Sequence, residues 1–198
     1  MKLSEEHFQF LKKFIFKYYP ASDESIALLE SMANIQHINK KDFLLTVGQT
    51  AKTLYLLYSG SIIAYFICED GKAYHKNIFL EGNFVGSTVS MLTNKPSEFS
   101  LEAIENCTVI SFDYNEYRKL IEQDIELKNF YVAYLEKNWV IDKERREIDI
   151  ITKDAKTRYL EFLEQHPNIE KRVPLHYIAS NLGITPTQLS RIRNDLKK

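Results

Sequence analysis

Apolar residues recur along this chain with periods that change from one segment to the next. Phe8, Leu11, Phe14, Ile15 and Tyr18 step by three and four and define one face of an amphipathic helix. Pro20 closes that run, and Ser22 or Asp23 can cap a second helix in which Ile26, Leu29 and Met32 share a side; the helical segment is expected to reach about Asn39. From Asp42 to about Asp113 the pattern shortens into runs rich in β-formers, at 43–47, 54–58, 62–67, 78–80, 99–104 and 108–112. Five of the six glycines (Gly48, Gly60, Gly71, Gly82 and Gly86) fall in this stretch, the first four spaced by 12, 11 and 11 residues. Short strands punctuated at that interval predict an antiparallel sandwich or barrel. The clearest hairpin is Glu69-Asp70-Gly71-Lys72, because Asp-Gly supplies the positive φ values of a primed turn.

From Tyr114 onward the helical period returns. Residues 127–152 contain neither Gly nor Pro, and one register places Leu127, Tyr131, Tyr134, Asn138, Ile141, Arg145, Ile148 and Thr152 on a single stripe. Such a stripe reads as a coiled-coil seam between two copies of the chain, with a polar Asn138 to set its register. The alternative is a helix packed on the β-domain of its own chain.

The run Leu175-His176-Tyr177-Ile178-Ala179-Ser180-Asn181-Leu182-Gly183-Ile184-Thr185-Pro186-Thr187-Gln188-Leu189-Ser190-Arg191-Ile192 has the form of a helix-turn-helix. Ala179 is small where two helices must cross closely, and Gly183 suits a left-handed turn residue. Thr185 is a good N-cap and Pro186 a good first helical residue. Ile178, Leu182, Ile184, Leu189 and Ile192 are its expected core. With Leu189, Ile192 and Leu196 turned inward, Thr187, Ser190, Arg191 and Asn194 turn outward, and Gln188 lies at the margin of that face. These five are the expected contacts to base edges: Arg191 to guanine, Asn194 or Gln188 to adenine. Thr185, Arg193, Lys197 and Lys198 are expected to reach phosphates. The alternative is a unit of the same shape that binds only another protein.

Charge sharpens this picture. The net charge of −1 conceals a division, because residues 153–198 carry nine Lys/Arg against five Asp/Glu, whereas the preceding residues are acidic overall. A basic segment suits a polyanion partner. No apolar run approaches a membrane span, and the N-terminus has no signal-peptide core, so a cytoplasmic protein is expected. Cys68 and Cys107 are too few for a disulfide framework or an iron–sulfur cluster and read as packing residues. The five histidines lack metal-ligand spacing, so neither metal nor cofactor is expected. Glycine-rich phosphate loops and hydrolase motifs are missing, and an enzyme is not expected.

Together these motifs resemble the Crp/Fnr superfamily of bacterial regulators over nearly the whole chain. Leu54-Tyr55-Leu56-Leu57-Tyr58-Ser59-Gly60, Gly82-Asn83-Phe84-Val85-Gly86 and the polar loop to Ser100 are similar to the family's cyclic-nucleotide-binding-type β-roll. The resemblance implies an α+β fold: N-terminal helices and an antiparallel, jelly-roll-like β-roll as sensor domain (1–123), a long dimerisation helix (124–152) and a helix-turn-helix DNA-binding domain (153–198). The end just after the recognition helix is similar to a branch that lacks the C-terminal β-wing. The implied function is a homodimeric transcription regulator on a palindromic promoter site, with double-stranded DNA, an unidentified small-molecule effector and RNA polymerase as partners. The other reading is a ligand-sensing or protein-interaction module without DNA binding. An effector pocket is expected among Phe84, Val85, Gly86, Ser87, Thr88, Ser97, Glu98 and Phe99. Members that bind cyclic AMP have a glutamate where Ser87 stands and an arginine near Ser97. The only cation in that run is Lys95, Glu98 would repel phosphate, and charged residues in 142–147 replace the expected hydroxyl pair. Tight cyclic AMP binding is therefore not expected.

Overall fold

A computed structural model describes residues 1–68 and 73–197. The hairpin expected at 69–72 and the phosphate contact expected of Lys198 lie outside the described residues. Two helices open the chain, α1 (Glu5–Phe16) and α2 (Asp23–Met32), each capped by the serine before it: Ser4 accepts from the His7 N–H and Ser22 from the Ser25 N–H. The helical segment stops short of the expected Asn39, since β1 (Asn34–Ile38) pairs antiparallel with a later strand.

The strands that follow are β2 (Phe43–Leu45), β3 (Thr53–Ser59), β4 (Ile62–Ile67), β5 (Ala73–Phe79), β6 (Phe84–Val85), β7 (Ser100–Ala103) and β8 (Cys107–Asp113), with a short helix α3 (Thr88–Thr93) between β6 and β7. They form two four-stranded sheets in the orders β1-β8-β3-β6 and β2-β7-β4-β5. Leu56 opposite Ile110 sets the register of the first, Ala64 opposite Leu101 that of the second. Leu54, Leu56, Val109, Ile110, Ala64 and Leu101 join Leu11, Phe14, Ile26 and Leu29 of the N-terminal helices in one buried core. The class is the α+β arrangement that the alternating patterns imply.

Strand β4 departs from simple alternation, since Ile62, Ile63 and Ala64 are all buried. Ile62 and Ala64 face the main core, whereas Ile63 belongs to a second one, with Ile78, Ile104 and residues of the C-terminal helices. A strand covered on both faces reads as a continuous apolar run.

After α4 (Tyr114–Gln123), α5 (Ile125–Leu135), a π-helical segment (Glu136–Ile141) and α6 (Asp142–Thr152) form one uninterrupted helix. Then come α7 (Ala155–Gln165), α8 (Ile169–Arg172), α9 (Leu175–Asn181) and α10 (Pro186–Asp195).

The π segment corrects the expected seam. Leu127 is buried in the main core, and Tyr131 and Tyr134 pack on it, so these three face their own β-roll. Asn138 donates to the Tyr134 carbonyl of its own helix. Ile141, Arg145 and Ile148 are exposed. One stripe cannot run through all seven, because a wider helical turn rotates everything beyond it.

Gly60 shows where the β-roll tolerates no side chain. It has φ +100°, and an added Cβ would lie 2.6 Å from Cys107 Sγ and 2.8 Å from the Asn106 carbonyl oxygen. Gly60→Ala combines left-handed strain with overpacking and is expected to cost roughly 2–4 kcal/mol. Urea denaturation should show a lower midpoint at unchanged slope.

Candidate nucleic-acid interface and sensor cavity

Helix α9 ends in a Schellman turn. Gly183, at φ +70°, donates to Ser180 O at 3.1 Å, and Ile184 donates to Ala179 O at 3.0 Å. An added Cβ at Gly183 would meet nothing within 4 Å, so the backbone angle alone calls for glycine. Helix α10 starts with a capping box: Thr185 Oγ1 accepts from the Gln188 N–H, and Gln188 Oε1 accepts from the Thr185 N–H. Ile178, Ala179, Leu182 and Leu189 are buried between the helices, with Ile184 and Ile192 packed beside them.

Thr187, Gln188, Ser190, Arg191 and Asn194 are all exposed on α10. Gln188 has committed its carbonyl oxygen to the cap, which leaves its amide N–H groups as donors. Thr185 is exposed and its hydroxyl hydrogen remains available, since the cap uses the oxygen as acceptor. Lys197 is exposed. Leu196 is 40% exposed rather than turned inward, because it caps the helix after the last packed turn. Arg193 is not free for phosphate: its Nε lies 2.8 Å from Glu170, which also accepts from the Tyr159 hydroxyl at 2.6 Å. Burial and that carboxylate push the Tyr159 pKa up to about 12.

The basic excess of the C-terminal segment is likewise partly spent inside the molecule. Lys153 pairs with Asp149 and Glu161, and Arg158 donates to the carbonyls of Lys153 and Leu182. Arg146, on the long helix, donates to Asn181 O at 2.9 Å. Arg146 and Arg158 thus hold two carbonyls at the C-terminal end of α9, where cations are favoured.

The C-terminal helices dock on the outer face of the β-roll. Ile178, Ala179 and Val173 meet Ile63, Ile78 and Ile104 in the second core. Arg172 closes its edge with hydrogen bonds to Glu81 at 2.6 and 3.2 Å, to Glu105 at 2.9 and 3.3 Å, and to Gly60 O at 3.1 Å. Burial works against the Glu105 carboxylate, but its bonds from Arg172 and Ser61 outweigh that and hold its pKa below the usual range. These partners lie 67 and 91 residues from Arg172, so no local pattern announces them. On β5, the His75 ring lies 4.5 Å from that of Tyr177 and 5.8 Å from that of His176, and Ser180 Oγ donates to His75 O.

Inside the β-roll, the expected effector residues divide. Phe84, Gly86, Thr88 and Phe99 line a cavity closed on its other side by Tyr131, Tyr134 and Trp139 of the long helix. Ser87 and Ser97 do not line it: both are buried, and their hydroxyls bond to each other at 3.1 Å. Val85 is wholly buried in the main core. Glu98 lies outside the lining, where its charge raises the pKa of Lys76 against a larger lowering by burial. Met91 fills the space above Gly86, 2.9 Å from where a Cβ would be. Lys76, Tyr114 and Tyr117 also line the cavity, and the β-former pattern gave no sign of them.

Residues 35–124 match the cyclic nucleotide-binding domain family. Over 103 residues the chain is 26% identical to the cAMP-activated global transcriptional regulator CRP of Pasteurella multocida (strain Pm70), an alignment that covers 52% of this chain and 49% of that protein. The chain thus spans about half the length of the curated relatives it matches. Its fold is similar to that of a cyclic-nucleotide-binding-type protein from Ruegeria pomeroyi DSS-3, with a TM-score of 0.74 at 18% identity over 98% of this chain and 88% of the other. It is also similar to the Thermus thermophilus catabolite activator protein, with a TM-score of 0.56 at 19% identity over 93% and 86%. The match identifies residues 35–124 as of the cyclic nucleotide-binding type, and the solved structures share the fold of the chain as a whole. Among the described residues no helix is long and apolar enough to cross a membrane.

His75 makes the docked interface pH-sensitive. Burial, reinforced by His176, lowers its pKa below the ordinary imidazole value of 6.5. The unfolded chain therefore takes up the proton first, so stability is complete above about pH 6.5 and falls as the pH drops towards the lower folded value. The thermal midpoint should fall between about pH 7.5 and about pH 5.5, with a shallower fall in His75→Gln. His166, lowered by burial, titrates in the same direction, so some slope should survive in the variant.

Proposed function

We propose that this chain is a homodimeric, non-enzymatic regulator of transcription of the Crp/Fnr type that lays α10 in the major groove of a palindromic promoter site. The observation that carries this reading is the outer face of α10. Thr187, Ser190, Arg191 and Asn194 are exposed there, while the helix beneath is fixed by a capping box, a buried Leu189 and the Arg193–Glu170 pair. A rigid helix with free donors and acceptors suits direct readout of base edges. Arg191 pairs with guanine and Asn194 with adenine, and Thr185 and Lys197 reach phosphates. The protein acts in the cytoplasm, with RNA polymerase as the further partner of a promoter-bound dimer. The β-roll answers to an effector other than cyclic AMP, in keeping with the Ser87–Ser97 bond and the position of Met91.

The dimer forms along the long helix on a face different from the one that simple periodicity suggests. Ile125, Val132, Val140, Ile148 and Ile151 are exposed apolar residues, and Ile151 is 84% exposed. If the π segment is counted as one inserted residue, these five fall within roughly 80° around the helix; without it they spread over roughly 160°. The insertion brings two apolar half-stripes into line as one contact surface for a second copy.

Two measurements test this reading. Arg191→Ala should abolish the retarded complex on promoter DNA selected from a random pool and leave the melting temperature unchanged; a wild-type protein with no salt-dependent DNA affinity would instead support an interaction module. Val140→Glu should convert a dimer into a monomer in light scattering. A wild-type chain that is monomeric at micromolar concentration contradicts the dimer.

A further inference from the structure

The cavity between the β-roll and the long helix has a volume of about 110 Å³. That is of the order of the ~150 Å³ apolar cavity known to take up benzene. It is far too small for a nucleotide. Phe79, Phe84, Phe99, Tyr134 and Trp139 supply its aromatic walls. Phe84 and Tyr134 already pack edge to face, at 5.0 Å and 73°. A flat ring continues that packing better than an alkyl chain does.

The polar side chains of the lining are those of Lys76, Asn77, Thr88 and four tyrosines. The Tyr117 hydroxyl is fully buried and finds no hydrogen-bond partner. The Tyr114 hydroxyl also lacks one, lying beside that of Tyr131 without a bond of acceptable geometry. Buried hydroxyls without partners are rare in folded proteins, because each forfeits its hydration with no return. Burial raises the pKa of both, so each stays protonated and has a hydrogen to donate. Lys76 brings a cation to the same cavity, its Nζ 4.4 Å from the centre of the Phe99 ring. Two idle donors and an ammonium call for an accepting, anionic group on a small apolar body.

We infer that this cavity binds a single-ring aromatic acid of the benzoate class, its ring among Phe84, Phe99 and Tyr134 and its carboxylate on the Tyr114 and Tyr117 hydroxyls, with Lys76 balancing the charge. The inference rests on the reading of the β-roll as an effector domain, and not on DNA binding. A bound ring touches Tyr131, Tyr134, Leu135 and Trp139, which run into the π segment that aligns the two halves of the proposed dimer face. Occupancy of the cavity and the phase of the long helix are thereby mechanically joined.

Trp139 is the single tryptophan of the chain and lines the cavity, so its emission reports occupancy directly. Benzoate titrated into the full-length protein should change that emission saturably, with a calorimetric Kd on the order of 100 µM for so small a ligand. Tyr117→Phe should weaken benzoate by about 10-fold or more, as expected for a hydrogen bond to a charged group, without lowering the melting temperature. Lys76→Met should weaken benzoate and leave the binding of toluene unchanged. The proposal is overturned if benzoate shows no saturable binding by about 10 mM, if Tyr117→Phe binds it as the wild type does, or if cyclic AMP binds more tightly. A protein that shifts promoter DNA yet ignores benzoate refutes the ligand alone; one that binds benzoate yet never DNA refutes the regulator alone.

Discussion

The outer face of strands β4 and β5 has to be covered, and the rest of the architecture follows from that. Ile63 and Ile78, with Ile104 beside them, would otherwise expose a contiguous apolar patch to water. Helices α8 and α9 cover it, and Arg172 seals the margin against Glu81 and Glu105. The helix-turn-helix is therefore held against the β-roll and does not hang from a linker. Its outer face is left free because its inner face has two jobs, to pack its own helices and to cap a sheet.

That arrangement explains how charge is used. Taken as a sum, the last quarter of the chain is basic, yet Lys153, Arg158, Arg172 and Arg193 hold the structure together from within. A partly buried guanidinium bridging two carboxylates keeps a fixed geometry, whereas an exposed lysine does not. The cations left unpaired at the surface of this segment are therefore fewer than the sequence count.

The long helix meets two different surroundings along its length. Its first half presents Leu127, Phe130 and Tyr134 to the β-roll and closes the cavity; its second half leaves Ile148 and Ile151 exposed. A uniform helix could not keep one outer stripe through that change of duty. The π segment, set where the cavity ends, absorbs the mismatch of phase. The cavity, the π segment and the exposed apolar residues of the second half thus meet around Trp139.

Much of this was legible in the sequence. Helix caps at Ser22 and Thr185, the left-handed turn at Gly183 and the short strands between glycines are local effects, set by backbone geometry and the nearest few side chains. The outward set on α10 followed from helical periodicity for the same reason. What needed the tertiary structure was every property in which distant segments compete for one side chain. Arg193 looked free until Glu170 claimed it, Leu127 and Tyr131 looked like a seam until the β-roll buried them, and Ser87 and Ser97 looked like a pocket until they bonded to each other. Periodicity states which side of an element is apolar. Only the assembled chain states which surface that side meets, because burial and pairing are settled between residues far apart in sequence.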